Sequence, residues 1–160
     1  MNKVSILFIC MGNICRSPTA EAVFKHCVSE AGLDQHIQSD SAGTHDYHIG
    51  DPPDQRSQRH AAKRGYDLSA LRARQVGKTD FERFDYLLTM DENNLSLLAS
   101  DCPSAYTAKL ALFMRYGVRG EAIAVPDPYY GGAQGFERVL DMVEDAAQGL
   151  LRHIRNHHRL

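Results

Sequence analysis

Cys10, Arg16 and Ser17 fall within one short stretch, CMGNICRSP (10–18), which follows an apolar run near the start of the chain. A Cys-x5-Arg-Ser spacing suits a loop in which one anion touches both a thiol and a guanidinium. Gly12 permits unusual backbone angles, and Asn13 tolerates the left-handed region better than most residues. A turn through Met11, Gly12, Asn13, Ile14 and Cys15 can therefore aim several backbone N–H groups inward. The helix that follows adds its positive end, and the two together cradle phosphate. Arg16 supplies a planar fork for two phosphate oxygens. At the mouth of such a cradle Cys10 is favoured as a thiolate, and a thiolate held against phosphate can attack phosphorus. The Ser17 hydroxyl can donate a hydrogen bond to that sulfur, steadying it and later helping it leave.

Other uses of the two cysteines fit less well. A zinc site needs about four ligands, commonly with C-x2-C spacing. Cys10 and Cys15 are spaced C-x4-C with no second pair nearby. A dithiol redox switch is open to two thiols on one loop. Plain core filling leaves the glycine, asparagine and arginine of the same turn unexplained.

Phosphoryl transfer from tyrosine also needs a proton for the leaving oxygen. Asp127, in VPDPYYGG (125–132), is the candidate, acting first as acid and then as base towards water. Tyr129 and Tyr130 follow it and can wall a pocket for an aromatic substrate. Alone, this segment is an ordinary turn with two packing tyrosines. The cysteine loop elsewhere in the chain gives it a use.

Three further patterns carry no such chemistry. Gly77-Lys78-Thr79 resembles the tail of a nucleotide-binding loop, but Arg72 stands where that pattern needs a glycine, so it reads as a loop leading into a helix. His45 with His48, and His153 with His157, read as surface histidines rather than metal ligands.

Short apolar strands alternating with helices must position these residues. Val4 to Ile9 reads as a buried strand, with Ser17 as the cap and Pro18 as the first residue of the next helix. Ala20, Val23, Phe24, Cys27, Val28 and Ala31 recur at helical spacing, and Gly32 ends that helix. A second strand is expected over His36 to Ala42, a helix over Pro53 to Arg64, and a third strand over Asp85 to Met90. Asp91 should cap a helix reaching Ser100, and Lys109 to Phe113 should form a fourth strand. Phe136, Val139, Leu140, Val143, Ala147, Leu150, Leu151 and Ile154 define a long amphipathic helix. The alternation predicts an α/β fold with a mostly parallel sheet. Ligands gather beyond the carboxyl ends of such strands, where the cysteine loop lies.

The composition bounds the function. The chain has 160 residues, which favours one domain (1–160), and a net charge of -2, which gives no footprint for nucleic acid. The basic, histidine-rich RHIRNHHRL (152–160) suits a solvated helix end. No stretch is long enough to span a bilayer, and no cleavage site follows the first apolar run. A cytoplasmic protein is expected, with Cys10, Cys15, Cys27 and Cys102 as thiols.

CMGNICRSPTAEAVF (10–24), DSAGT (40–44), IGDPPD (49–54), ARQV (73–76), FDYLLTMDENNL (84–95) and DPYYGG (127–132) together make the sequence resemble the low-molecular-weight protein tyrosine phosphatases. The resemblance implies a four-stranded parallel sheet with helices on both faces, a three-layer α/β/α fold of the phosphotyrosine phosphatase I type. It implies a phosphocysteine on Cys10, a phosphate clamp in Arg16 and a general acid in Asp127. Asn13, Ser17 and Ser41 would support the loop. Tyr47, His48, Tyr129 and Tyr130 would line the entrance, and Cys15 would trap Cys10 as a reversible disulfide under oxidation. No metal or organic cofactor is implied. The substrate class is phosphotyrosine-containing protein, a bacterial tyrosine kinase among the candidates, with inorganic phosphate as product and inhibitor and a monomer or weak self-association as the state.

Two positions depart from the family pattern. Leu71 stands where many members carry a histidine that supports the loop, and His48 occupies a variable entrance position. Three other functions compete. A thiol-dependent arsenate reductase needs a further cysteine pair poised for a disulfide cascade. Protein arginine phosphatases carry threonine at the position of Ile14, where this chain has an apolar wall. A non-catalytic phosphopeptide-binding module needs neither a nucleophile nor an acid.

Overall fold

The first strand, β1 (Val4–Cys10), is the hinge of the architecture, and all its residues but the first are buried. In the computed structural model, which describes residues 3–119, 124–128 and 132–160, β1 pairs in parallel with β2 (Ile37–Gly43) on one side and β3 (Tyr86–Thr89) on the other. A short β4 (Leu110–Leu112) completes the sheet in the order β2-β1-β3-β4. The chain leaves β1 for β2 and later returns to β1's other edge, so the carboxyl end of β1 is a topological switch point. Cys10 sits there, paired with Gly43.

Side chains alternate across a strand, which explains the continuous apolar run of β1. Ile6, Phe8 and Cys10 face a layer built by α1 (Arg16–Glu30) and the long α5 (Gly132–His158), with Ala61 of α2 (Gln55–Lys63) at its edge. Leu7 and Ile9 face the other layer, with Phe81 of α3 (Lys78–Arg83) and Leu98 of α4 (Glu92–Asp101). The three-layer α/β/α arrangement expected from the sequence is thus present. No helix among the described residues is long and apolar enough to cross a membrane.

Most element ends fall within two residues of expectation, and the differences have local causes. The helix α1 begins at Arg16 with Cys15 as its cap residue, so Ser17 is not the cap and Pro18 lies two positions inside. Ser17 faces Cys10 and Asn13 instead of a backbone N–H. At the other end Gly32 adopts φ 70°, its N–H bonds Ser29 O at 3.0 Å and Leu33 N–H bonds Val28 O at 3.0 Å, a Schellman closure. The helix α2 starts after Pro53 because the Asp54 carboxylate takes the Arg56 and Ser57 N–H groups. Two 3-10 segments, Ser104–Lys109 and Phe113–Tyr116, flank β4 and were not expected. Cys27 is half-buried at the margin of the core.

The helix α5 is polarised. Glu137, Asp141 and Glu144 in its first half all bond Arg64 of the α2 end, at 2.8, 2.9 and 2.6 Å. Its last turns carry the histidines and arginines, which suits the negative end of a helix.

Candidate active site

The loop between β1 and α1 is fixed from outside and from beneath. The carbonyls of Cys10, Met11 and Ile14 accept N–H groups of Thr44, His45 and Asp54 at 2.9, 3.0 and 2.8 Å. These carbonyls point into surrounding segments, while the Asn13 N–H points at Cys10 Sγ, 3.3 Å away. Asn13 holds the loop's strained turn at φ 60°. Such a conformation costs a non-glycine residue on the order of 1–3 kcal/mol. Its side chain offsets that cost with three bonds: Nδ2 donates to Ser17 Oγ and Ser41 Oγ, both at 2.9 Å, and Oδ1 accepts the Arg74 N–H at 3.0 Å. Since Asn13 donates to Ser17, the Ser17 proton faces two acceptors, Cys10 Sγ at 3.0 Å and the more distant Ala42 carbonyl at 3.5 Å. Ser41 passes the chain on by donating to Glu21 Oε1 at 2.7 Å, and Glu21, a buried carboxylate, pairs with Lys25.

Arg16 is 4% exposed and permanently charged. Burial works against that charge, but Cys10, Asp91 and Asp127 outweigh it and hold the guanidinium above its ordinary range. Its Nη1 donates to Asp91 Oδ2 at 2.6 Å and to Val125 O at 3.1 Å. The other Asp91 oxygen accepts the Asn94 N–H at 2.8 Å, so one carboxylate both caps α4 and orients the arginine. Val125 N–H bonds Met90 O at 2.7 Å, which pins the segment two residues ahead of Asp127.

These elements converge on a cleft of about 210 Å³. Cys10 and Arg16 form its floor, with Met11, Gly12, Ile14 and Cys15 of the same loop. Tyr47, His48 and Asp127 close its sides. Asn13, Ser17 and Ser41 lie beneath it, buried. Tyr129 and Tyr130 fall outside the described residues. His48 Nδ1 lies 3.3 Å from Asp51, and His45 stacks on Tyr47 with centroids 5.0 Å apart. No group of three or more His, Cys, Asp or Glu side chains suited to a metal exists among the described residues.

Residues 5–160 match the family described as low molecular weight phosphotyrosine protein phosphatase. The chain belongs to that family. The family protein of Streptomyces coelicolor is 44% identical over 153 residues, 94% of this chain and 93% of that one. A crystal structure of a protein tyrosine phosphatase from Entamoeba histolytica, with Hepes in its active site, superposes with a TM-score of 0.94 at 39% identity, covering 99% of this chain and 100% of that one. A drosophila arginine phosphatase superposes with a TM-score of 0.85 at 32% identity, covering 94% and 97% of the two chains.

Against the family pattern, Leu71 packs its half-buried side chain on the core. The Asn13 network closes without a histidine, through the Arg74 N–H and the Ser41–Glu21–Lys25 chain. Cys15, like Cys10, is buried. Burial pushes its thiol up to about 12; a Ser57 hydrogen bond works against this, and Asp54, Cys10 and Asp127 reinforce it.

Sequence reasoning missed several supports. Asp91 was legible only as a helix cap. Glu21 lay on the buried side of α1 with no local signal. Gly43 ends β2 under the loop, and a Cβ there would lie 2.7 Å from Met11 O and 3.1 Å from Gly12 C. The glycine of DSAGT is thus the space in which the cysteine loop rests.

Proposed function

We propose that the chain hydrolyses phosphotyrosine in proteins, and small aryl phosphates, through a phosphocysteine on Cys10. The observation that carries this reading is one cleft lined by Cys10, Arg16 and Asp127. In the first step Cys10 Sγ attacks phosphorus, the aryl oxygen leaves, and Asp127 gives it a proton. Arg16 and the loop amides take the charge on the phosphoryl oxygens, where preorganised donors contribute most. In the second step Asp127 accepts a proton from water, which attacks phosphorus, and the thiolate leaves under the Ser17 hydrogen bond. Inorganic phosphate is released and, as an anion of the same shape, inhibits.

Asn13 and Ser41 keep the loop in shape in this reading. Tyr47 and His48 form the entrance together with Tyr129 and Tyr130. Cys15, a thiol across the neutral range, is the resolving partner of an oxidised Cys10. The phosphatase acts as a single cytoplasmic domain, monomeric or weakly self-associated, on phosphotyrosine proteins that include a tyrosine kinase. The similarity to a drosophila arginine phosphatase keeps phosphoarginine as the second reading. Ile14 speaks for tyrosine, since it offers an aryl ring an apolar wall and a guanidinium no hydroxyl.

Pre-steady-state hydrolysis of p-nitrophenyl phosphate, with reductant and without added metal, tests the proposal. The wild type should release a burst of one equivalent of phenol, and Cys10→Ser should fold normally and release none. Turnover that persists in Cys10→Ser would exclude the phosphocysteine. Comparing phosphotyrosine with phosphoarginine peptides, in wild type and Ile14→Thr, separates the two substrate readings.

A further inference from the structure

The histidine-rich end of α5 lies by the amino ends of β3 and β4, at the opposite end of the strands from Cys10, and is not a bare helix end. It closes one side of a cleft of about 330 Å³. The start of β3 at Tyr86 forms a second side, and the segment through Lys109, Arg115 and Tyr116 forms the third. This volume falls in the range of small-ligand pockets, and three separate elements build it.

The walls are rings in mutual contact. His153 stands edge-on to Tyr86 at 6.0 Å, leans on Tyr116 at 5.2 Å and stacks on His157 at 5.8 Å. Tyr86 Oη and His158 Nε2 are 3.0 Å apart. The Tyr116 backbone packs directly on Gly149 of α5, where a Cβ would lie 1.8 Å from the Tyr116 carbonyl oxygen.

The permanent charges on this cleft are two cations, Lys109 and Arg115, against one carboxylate, Asp85. Lys109 Nζ donates to the carbonyls of Phe81 and Glu82, which fix it without neutralising it. Arg115 has no hydrogen bond or ion pair among the described residues. Asp85 is the one carboxylate lining the cleft, and its Oδ2 already accepts the Ser5 N–H and hydroxyl at 2.9 and 3.1 Å. A helix end is satisfied by a cation or two of its own. Here Lys109 and Arg115 come from a different segment and converge on the same space. Burial first, and then His157, Arg115 and His158, hold His153 below its ordinary value.

We propose that this cleft is a second anion site, which takes a small ligand bearing a diphosphate group, free or as a nucleoside ester. Its lining offers Lys109, Arg115 and three histidines as donors to the phosphates, and its rings offer a face to a base. The groups facing His153 are His157 and His158 on its own helix, Arg115, Tyr116 and Lys109 across the cleft, and Tyr86 and Asp85 on β3. Of these Asp85 alone favours the imidazolium. An added polyanion should therefore raise the histidine titration midpoints, and binding should tighten as pH falls through them.

The test is a histidine-ring NMR titration of the full chain, with tungstate filling the Cys10 cleft. Inorganic diphosphate and ADP serve as probes. Saturable shifts of the His153, His157 and His158 signals are expected, with raised midpoints. Stronger binding of ADP would assign the ester as the source, and equal binding the free anion. Arg115→Gln should weaken binding by about tenfold, the loss of one charge-assisted bond, while kcat/KM for p-nitrophenyl phosphate stays unchanged. His157→Gln gives a second, independent variant. Absence of saturable shifts, or equal affinity in wild type and both variants, would overturn the proposal and leave a solvated helix end.

Discussion

The two clefts at opposite ends of the parallel strands both gather cations, yet they hold them differently. Arg16 is buried and fixed by Asp91 and Val125, and a buried asparagine network shapes the loop beside it. Arg115 is exposed, and the histidines around it touch mainly rings. The first cleft is preorganised by long-range hydrogen bonds, so a transition state meets donors already in place. The second is assembled from side chains, so a ligand there must order them and binds more weakly for its contacts. Rigid support marks the site that does chemistry.

Substitutions in the first cleft should break this comparison most strongly. Asp127→Ala is expected to slow hydrolysis of an aryl phosphate with a poor leaving group by about 10²–10⁴, the span of general acid catalysis. An unchanged rate would remove Asp127 from proton transfer. Gly43→Ala forces the loop backbone off its seat. The cost of such overpacking is about 1–3 kcal/mol, and kcat/KM should fall by about tenfold or more while the distal histidine signals stay in place. A variant with wild-type kinetics would show that the loop adapts and is not held rigid.

Asp91→Asn sharpens the comparison further. Asparagine still caps α4, but Arg16 loses its counter-charge. The expected loss in kcat/KM is roughly tenfold, one charge-assisted bond. If kinetics are unaffected, the Val125 carbonyl alone orients the arginine.

Cys15 should affect stability rather than rate. Its thiol is raised from an ordinary 9.0 to about 12, so folding favours the protonated form. Below pH 9 both states hold the proton and the stabilisation is complete. Between 9 and 12 the unfolded chain loses it first, so stability falls as pH rises through that window, by up to about 1.4 kcal/mol per unit. Urea unfolding from pH 8 to 11 should show a shallower decline in Cys15→Ala than in wild type. Parallel curves would mean that Cys15 does not feel its burial.

Local pattern carried much of the fold. The apolar run of β1, the helical spacing from Ala20 to Val28 and the stop at Gly32 each depend on neighbours a few residues away, and each stands close to where periodicity put it. Ser17 shows the limit of such reasoning. Its type and position suit a cap, but a sulfur seven residues back and an asparagine four back claim its hydroxyl. The polar β2 was only weakly legible because it is an edge strand with one side open.

By itself the sequence determined which chemistry was on offer. A cysteine, an arginine and a serine on one short loop after a buried strand are local facts, and local spacing is what a sequence records directly. Only the tertiary structure decided what completes that loop. Asp91 reaches Arg16 across 75 positions of chain, Arg74 reaches Asn13 across 61, and Gly43 leaves the room beneath them. Such partners depend on how the sheet orders its strands and how helices pack on its faces. Side-chain periodicity carries no information about those distances.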